Sequence, residues 1–279
     1  MKATHFLYGA ILAVALAACT EDTTTGPAPT PATMSFKQGA RYEFVSYHTD
    51  PQSSQKQDTS ERRRVWTLVN PSASVHGQSN VAVYIDSVFS AGGLFTVQDS
   101  VYLQQRAGND IYRYASLAPE FDVSGVSLFD LGRDWRHEAR LNATAATWDV
   151  GSISDTLPLT QLGVSLPGVK TAMLALTDEV DSSSIENLTI GGTTYATTRT
   201  VHKLSLKVQL YLGLFGSDVP VSIPLDAIYR RTWTSAELGT IVKEEREAKV
   251  LSASYTGSNF TIPIPGYHAE LRTVLAAGQ

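Results

Sequence analysis

The chain has little of the chemistry on which most enzymes and metal proteins depend. Its 279 residues include one cysteine, so no disulfide can form within the chain. The six histidines never stand three or four residues apart, so the local ligand pair typical of a zinc site is missing. The sequence also contains no Gly-x-Ser-x-Gly motif, no phosphate-binding loop and no dinucleotide fingerprint. It therefore predicts no catalytic residue, no metal ligand and no cofactor.

Strong charge of either sign is also missing. Lysine and arginine number 22 against 27 aspartates and glutamates, which gives a formal net charge of −5. Without a basic surplus to neutralise phosphates, nucleic acid is not expected as a partner. No apolar run beyond the N-terminal segment approaches the roughly 18 residues of a membrane-spanning helix, so we expect none.

The N-terminal segment carries the clearest positive signal. Lys2 precedes an uncharged stretch from Phe6 to Leu16. With about eleven residues, that stretch suits a signal peptide and is too short to cross a bilayer of about 30 Å. It ends in Leu16-Ala17-Ala18-Cys19, which resembles the bacterial lipobox. The resemblance implies that Cys19 receives a diacylglycerol, that signal peptidase II cuts before it, and that palmitate-type chains attach the protein to a membrane.

One alternative to this interpretation remains open. An ordinary secretory signal could be cut after Ala18, which would leave Cys19 as a free thiol. Thr20, next in the chain, bears on the destination. In the enterobacterial sorting pattern that this region resembles, aspartate at that place retains a lipoprotein in the inner membrane. Threonine there implies the outer membrane, on its periplasmic or surface face.

The chain divides by composition into three parts. Residues 1–18 form the predicted signal peptide. Residues 19–34 contain three prolines and no aromatic side chain, which predicts a disordered tether. Residues 35–279 form the predicted β-rich domain, which could divide further near 152–170, where prolines and glycines interrupt an apolar stretch.

Alternating apolar and polar residues dominate this third part. The longest example runs from Thr200 to Leu212, where every second residue shares one face. Glycine-containing turns separate such stretches. The pattern predicts a mainly β protein with a curved antiparallel sheet, a half-barrel meander, and little helix beyond the signal peptide.

Two segments of this part also resemble a recurrent pattern in uncharacterised envelope lipoproteins. They run from Ile190 to Tyr195, around Gly191-Gly192, and from Arg231 to Lys243, around Trp233. In those proteins the hairpins lie on a curved antiparallel sheet like that of the periplasmic lipoprotein carriers. The resemblance implies this architecture and brings no catalytic residues with it.

A concave sheet of this kind suggests a ligand. Its apolar face could bind a lipid or an acyl chain, or it could simply pack the core. We therefore expect a lipid-anchored cell-envelope protein, most simply a non-enzymatic binding module for a lipid. The alternatives are an envelope protein that binds other proteins or serves as a structural subunit, and a hydrolase whose site is assembled from distant residues. The candidate ligand face comprises Leu204, Leu206, Val208, Leu210 and Leu212.

Three local expectations can be compared directly with a structure. The charged run from Lys243 to Lys249 favours an edge strand over the helix that its propensity alone would give. His137 and Glu138 should point to opposite faces of a strand as a half-exposed polar pair. His202, on the apolar face of the long strand, should be a core or rim histidine with its hydrogen bonds satisfied rather than a metal ligand.

Overall fold

The computed structural model describes residues 32–116, 122–123, 126–127, 133–158, 168–214, 217–255 and 258–275. The predicted signal peptide, Cys19 and the predicted tether up to residue 31 lie outside these ranges. Besides a short 3-10 helix at Asp58–Ser60, the regular elements are β1 (Arg41–Thr49), β2 (Arg62–Val75), β3 (Gln78–Ser90), β4 (Phe95–Gln105), β5 (Asp110–Ala115), β6 (Asp122–Val123), β7 (Val126–Ser127), β8 (Asp134–Arg140), β9 (Trp148–Pro158), β10 (Val169–Ile190), β11 (Thr193–Leu214), β12 (Ser217–Pro224), β13 (Ile228–Ser235), β14 (Thr240–Arg246), β15 (Lys249–Tyr255), β16 (Ser258–Ile264) and β17 (Gly266–Leu275).

The alternation in the sequence reappears as alternating burial along the strands. In β11, every even-numbered residue from Thr198 to Leu210 is buried, and the odd-numbered residues between them are half-buried or exposed. In β1, Tyr42, Phe44 and Ser46 face inward in the same way. Successive side chains of a strand point to opposite faces, so one face of each strand lines an interior.

One antiparallel sheet contains most of the strands. Its order is β8-β5-β4-β3-β2-β1-β17-β14-β13-β11-β10-β9, and β12 pairs with the outer part of β11 beyond its pairing with β13. The first half is a meander, and β17 returns from the end of the chain to pair with β1. The predicted mainly β fold with a curved antiparallel sheet is confirmed.

The two ends of this sheet approach each other, so it curls into a nearly closed cylinder. No ladder joins β8 to β9 among the described residues, and side chains bridge the gap instead. The Trp148 indole Nε1 donates to the His137 carbonyl oxygen at 3.0 Å, and the two rings stack with centroids 4.5 Å apart. The Asn142 backbone N–H donates to Thr198 Oγ1 at 2.8 Å.

Two apolar clusters fill the interior at different heights. The first lies among β1–β5, β8, β14 and β17 and includes Phe44, Leu68, Tyr84 and Leu103. The second lies along the extended β10–β11 hairpin and is described with the candidate site below. Polar and charged side chains occupy the interior between them.

The chain enters the fold beneath the first cluster. Met34 is buried, and the Ala32 backbone N–H donates to Asn109 Oδ1 at 3.1 Å. Ala32 and Met34 thus already contact the fold. The turn between β13 and β14 closes the same end, where the Tyr84 hydroxyl donates to the Gly239 carbonyl oxygen at 2.6 Å. Gly239 has a φ of +69°, a conformation that glycine adopts without strain.

The charged run from Lys243 to Lys249 forms strand rather than helix, as expected, but its predicted edge position is wrong. β14 pairs with β13 on one side and with β17 on the other. An inner strand tolerates these charges because an inward-facing one meets a partner: Glu244 lies 3.2 Å from the Arg113 guanidinium of β5.

None of the described residues forms a helix long and apolar enough to cross a membrane.

Candidate functional site

The predicted ligand face lies inside the molecule. Leu204, Leu206, Val208 and Leu210 are each at most 4% exposed. The side chain of Leu212 lies outside the described part. The four side chains pack against inward-facing residues of β10 and against Ile228 of β13. Sequence placed these residues correctly on one face, and in this conformation that face is filled by protein.

A separate hairpin covers the face. Strands β15 and β16 pair only with each other among the described residues, as a two-stranded sheet with no ladder to the cylinder. Leu251, Ile262 and Ile264 of this hairpin are at most 6% exposed and belong to the same apolar cluster as Leu206. Side-chain packing rather than a continued sheet therefore holds the cover on the face.

The base of the hairpin is attached firmly. The Glu247 backbone N–H donates to the Tyr229 carbonyl oxygen at 3.0 Å, and the Arg246 guanidinium donates to the Pro265 carbonyl oxygen at 3.0 Å. Gly266, which begins β17, lies so close to its neighbours that a Cβ there would be 2.9 Å from the Ala248 nitrogen. The cover thus has a fixed base and a body held by apolar contacts.

A buried ionic cluster lies next to the apolar face, between the two cores. His202 Nδ1 lies 3.0 Å from Asp178 Oδ1, and its Nε2 lies 3.2 Å from the Glu138 carbonyl oxygen. The Arg230 guanidinium lies 3.1 Å from Glu138 Oε1, 3.7 Å from Asp178 Oδ2 and 3.5 Å from Glu244 Oε1. Five strands, β8, β10, β11, β13 and β14, supply these residues.

The charges of the cluster hold one another ionised. Burial by itself raises the pKa of the Glu138 carboxyl, but the neighbouring Arg230, His202 and Arg113 outweigh burial and leave the pKa below its usual value. For Asp178, too, burial opposes ionisation, while His202 and Arg230 bring the pKa down. Burial lowers the pKa of Arg230, and the surrounding carboxylates more than reverse this, so the guanidinium stays charged.

The structure tests the expectations for His202 and for the His137–Glu138 pair. His202 is fully buried with both ring nitrogens facing oxygen atoms, so the interpretation as a satisfied core histidine is confirmed. The half-exposed pair at His137 and Glu138 is partly wrong. The two side chains do point to opposite faces, and His137 stacks on Tyr112 and Trp148. Glu138 is only 2% exposed, because it faces the cationic group of Arg230 inside the cylinder.

A small cleft adjoins the cluster. Its volume of about 20 Å³ gives room for about one water molecule. Arg64, Arg113, Lys243, Glu244 and Tyr267 supply its polar lining, and Arg64 forms an ion pair with the buried Asp86. In this structure the charged groups of the cluster pair with one another.

Within the described ranges, the cluster shows neither a metal-ligand group nor a histidine with a free ring nitrogen. These ranges contain no group of three or more His, Cys, Asp or Glu side chains arranged to hold a metal ion. The His202–Asp178 pair has the composition of a general-base pair, but Nε2 of the fully buried ring already faces a carbonyl oxygen. Cys19, the predicted lipidation site, lies outside the described residues.

Sequence reasoning did not find the ionic cluster. One signal was available: Asp178 and Glu138 occupy inward positions of alternating strands, where a charge needs a buried partner. The partners come from strands far away in the chain, so the pattern could not show which charges meet.

Comparison with known proteins gives weakly similar solved structures and no family. No family model matches the sequence, and no curated protein matches it. A solved structure from Parabacteroides distasonis, described as a "putative lipoprotein", has 9% sequence identity and a TM-score of 0.46, covering 88% of this chain and 99% of that one. Another, from Bacteroides fragilis, described as a "putative exported protein with YmcC-like fold", has 10% identity and a TM-score of 0.37, covering 88% of this chain and 100% of that one. At these values the chain is assigned to no family.

Proposed function

We propose that the chain is a lipid-anchored protein of the bacterial cell envelope that binds an acyl chain and catalyses no reaction. The acyl chain would lie between the apolar face of β10–β11 and the β15–β16 hairpin. One observation carries the proposal: the apolar face is covered by a hairpin that, in the described part of the chain, shares no ladder with the sheet. A cover of this kind can lift from the face without breaking the main sheet.

The free energy of exposing the hairpin side chains is similar to that of burying an acyl chain, so an acyl chain can replace the hairpin on the apolar face. Lifting the hairpin exposes Leu251, Ile262 and Ile264, at about 1.5–3 kcal/mol for each side chain. The total of about 5–9 kcal/mol matches the burial of roughly ten methylene groups at about 0.8 kcal/mol each. An ordinary fatty acyl chain therefore supplies enough apolar surface to compete with the hairpin, and a short polar molecule does not.

The attachment to a membrane rests on Cys19 and the residues before it. Two or three acyl chains on one cysteine give firm anchoring, where a single chain gives marginal binding. We propose the outer membrane as the destination, because Thr20 follows the cysteine. Replacing Cys19 by alanine should abolish palmitate labelling and release the protein from membranes. A wild-type protein that takes up no label would refute the anchor.

Ligand binding is tested separately with a fluorescent fatty acid and the variant Ile262→Ala. Truncating Ile262 weakens the closed cover by about 2 kcal/mol or more, so the probe should bind at least about thirtyfold more tightly. The matched control is Ile111→Ala, which truncates another buried isoleucine, in the other core.

This control tests whether a general loss of stability, rather than opening of the hairpin, explains tighter binding of the probe. Ile111→Ala should lower stability by a similar amount and leave probe affinity unchanged. Mass spectrometry of the purified wild-type protein should also detect bound acyl lipid. Absence of probe binding by the wild type and by Ile262→Ala, or equal gains in both variants, would refute the proposal.

A further inference from the structure

The turn between β3 and β4 exposes an unusual amount of apolar surface. We call residues 89–97 the β3–β4 tip. Its Leu94, Phe95 and Val97 are 74%, 58% and 52% exposed, more than any other large apolar side chain that the structure describes. All nine residues from 91 to 99 are exposed, so the turn protrudes from the cylinder. Phe89 and Phe95 face each other across the two strands, with ring centroids 5.8 Å apart.

Along β3 and β4, the tip has no ionisable side chain, and the nearest ones in the sequence stand just behind it. Residues 87–98 include no ionisable side chain, and Asp86 and Asp99 stand just outside this range. On the neighbouring strand β2, Arg63 pairs with Phe89 in the ladder, and its guanidinium lies 5.1 Å from the centre of that ring. The same guanidinium donates to Glu43 Oε2 at 2.8 Å, so its charge is already paired. The uncharged apolar end by itself complements the hydrocarbon boundary of a lipid layer.

The tip and the entry of the chain lie at opposite ends of β4. The Gln105 side chain, at the far end of that strand, accepts a hydrogen bond from the Met34 backbone N–H and donates to the Ala32 carbonyl oxygen, both at 2.7 Å. The strand from Phe95 to Gln105 is about 33 Å long at about 3.3 Å per residue. Twelve residues lie between Cys19 and Ala32, so thirteen residue steps join the two. Their reach, up to about 45 Å when extended, exceeds the length of the strand.

From these three observations we infer that the β3–β4 tip inserts into the surface of the lipid bilayer to which the chain is attached. The cylinder then stands with the tip in the membrane, a placement that the length of chain between Cys19 and Ala32 allows. The inference rests on the membrane placement under the proposed function. It adds a second point of membrane contact, independent of the lipid on Cys19 and of the acyl ligand.

The test places an environment-sensitive NBD label at each end of β4. Leu94→Cys labels the tip, and Ala107→Cys labels the exposed turn beside the entry of the chain. Full-length protein is purified from bacterial membranes, labelled and reconstituted in phosphatidylethanolamine–phosphatidylglycerol vesicles with quencher-bearing lipid. The wild-type protein, treated in the same way, reports any label on Cys19. The tip label should shift to shorter wavelength and be quenched by the lipid, and the Ala107 label should show neither effect.

The anchor alone predicts the reverse pattern, because Ala107 lies beside the segment that leads to Cys19. Quenching at Ala107 with none at Leu94 would overturn the inference. A blue shift at Leu94 that needs no vesicles and grows with protein concentration would also overturn it, in favour of contact between two copies.

A second measurement separates the tip from the anchor. The double variant Leu94→Ser/Phe95→Ser should bind added vesicles at least tenfold more weakly than the wild type. Ile185→Ser, a control at another half-exposed apolar side chain, should bind as the wild type does. Wild-type protein that is recovered outside the membrane fraction, yet still binds vesicles through the tip, would refute the anchor and support the tip. Equal binding by both variants would refute the tip and leave the anchor intact.

Discussion

Replacing Arg230 by methionine should destabilise the protein strongly, and the effect should depend on pH in a defined direction. Methionine keeps most of the side-chain volume and removes the charge. Arg230 touches Glu138, Asp178 and Glu244, and the first two carboxylates are at most 2% exposed. Removing one partner of a buried ion pair leaves an uncompensated charge and costs about 3–5 kcal/mol. For a domain of this size, the loss corresponds to a melting temperature lower by about 6–20 °C.

The pH dependence follows from the direction of the pKa shifts. In the wild type, the pKa values of Glu138, Asp178 and Glu244 are lowered, with Arg230 contributing to each shift. The stability that these ionised groups give is therefore present above their unfolded pKa values of about 4 and is lost as the pH falls through the lower folded values. Without Arg230, the remaining burial raises these pKa values, and the carboxyls take up protons while folded. The loss of unfolding free energy caused by Arg230→Met should therefore be largest near neutral pH. It should shrink as the pH falls towards about 4.

The assay is urea unfolding at several pH values, with Arg231→Met as the matched control. Arg231 is the next residue of β13, lies on its opposite face and is half-buried. Its replacement should change the free energy of unfolding by no more than about 0.5 kcal/mol. A loss at Arg230 equal to that at Arg231, or a deficit that grows on acidification, would show that the cluster is not closed and ionised in solution.

Two further predictions concern the hairpin base and a buried phenol. Gly266→Ala should cost about 1–3 kcal/mol and make the β15–β16 hairpin more sensitive to limited proteolysis, because the new methyl group would overlap Thr49 Oγ1 and the Ala248 nitrogen. Gly92→Ala, whose Cβ would meet no atom closer than Ser90 Oγ at 3.8 Å, is the control, and equal proteolysis of both would contradict the expectation. Burial, assisted by Tyr195, raises the pKa of Tyr42 from 10.0 to about 12. The stability contributed by the neutral phenol should be complete below pH about 10 and lost as the pH rises towards 12, and ultraviolet titration should show this tyrosine ionising late; wild-type and Tyr42→Phe proteins with the same alkaline stability profile would contradict it.

The fold class was readable from sequence because its signal is local. Alternation with a period of two, as along Thr200 to Leu210, follows from the geometry of a single strand and needs no knowledge of its neighbours. The same regularity places Leu204 to Leu210 on one inward face, and burial along β11 agrees with it. The expectation of lipidation at Cys19 is local as well, since it depends on a short run of adjacent residues, and it stays a prediction.

The neighbours of each strand were beyond the reach of such reasoning. The charged run at Lys243 suggested an edge, and only the return of β17 made β14 an inner strand. Propensity and charge describe one segment, whereas an edge is defined by what lies on both sides of it. The hairpin that covers Leu206 likewise depends on the folding of residues 249–264 over a surface some 40 positions away in the chain.

The sequence by itself determined that this is a β protein with inward apolar faces, and it predicts an anchor at Cys19. The tertiary structure alone decided how the interior is divided. Asp178, His202 and Arg230 lie on neighbouring strands of the sheet, and Glu138 of β8 reaches them only when the sheet curls and its two ends approach. The physical reason is that a buried charge is tolerated only beside its partner, and partners so distant in sequence are chosen by the pairing of strands and not by any local pattern.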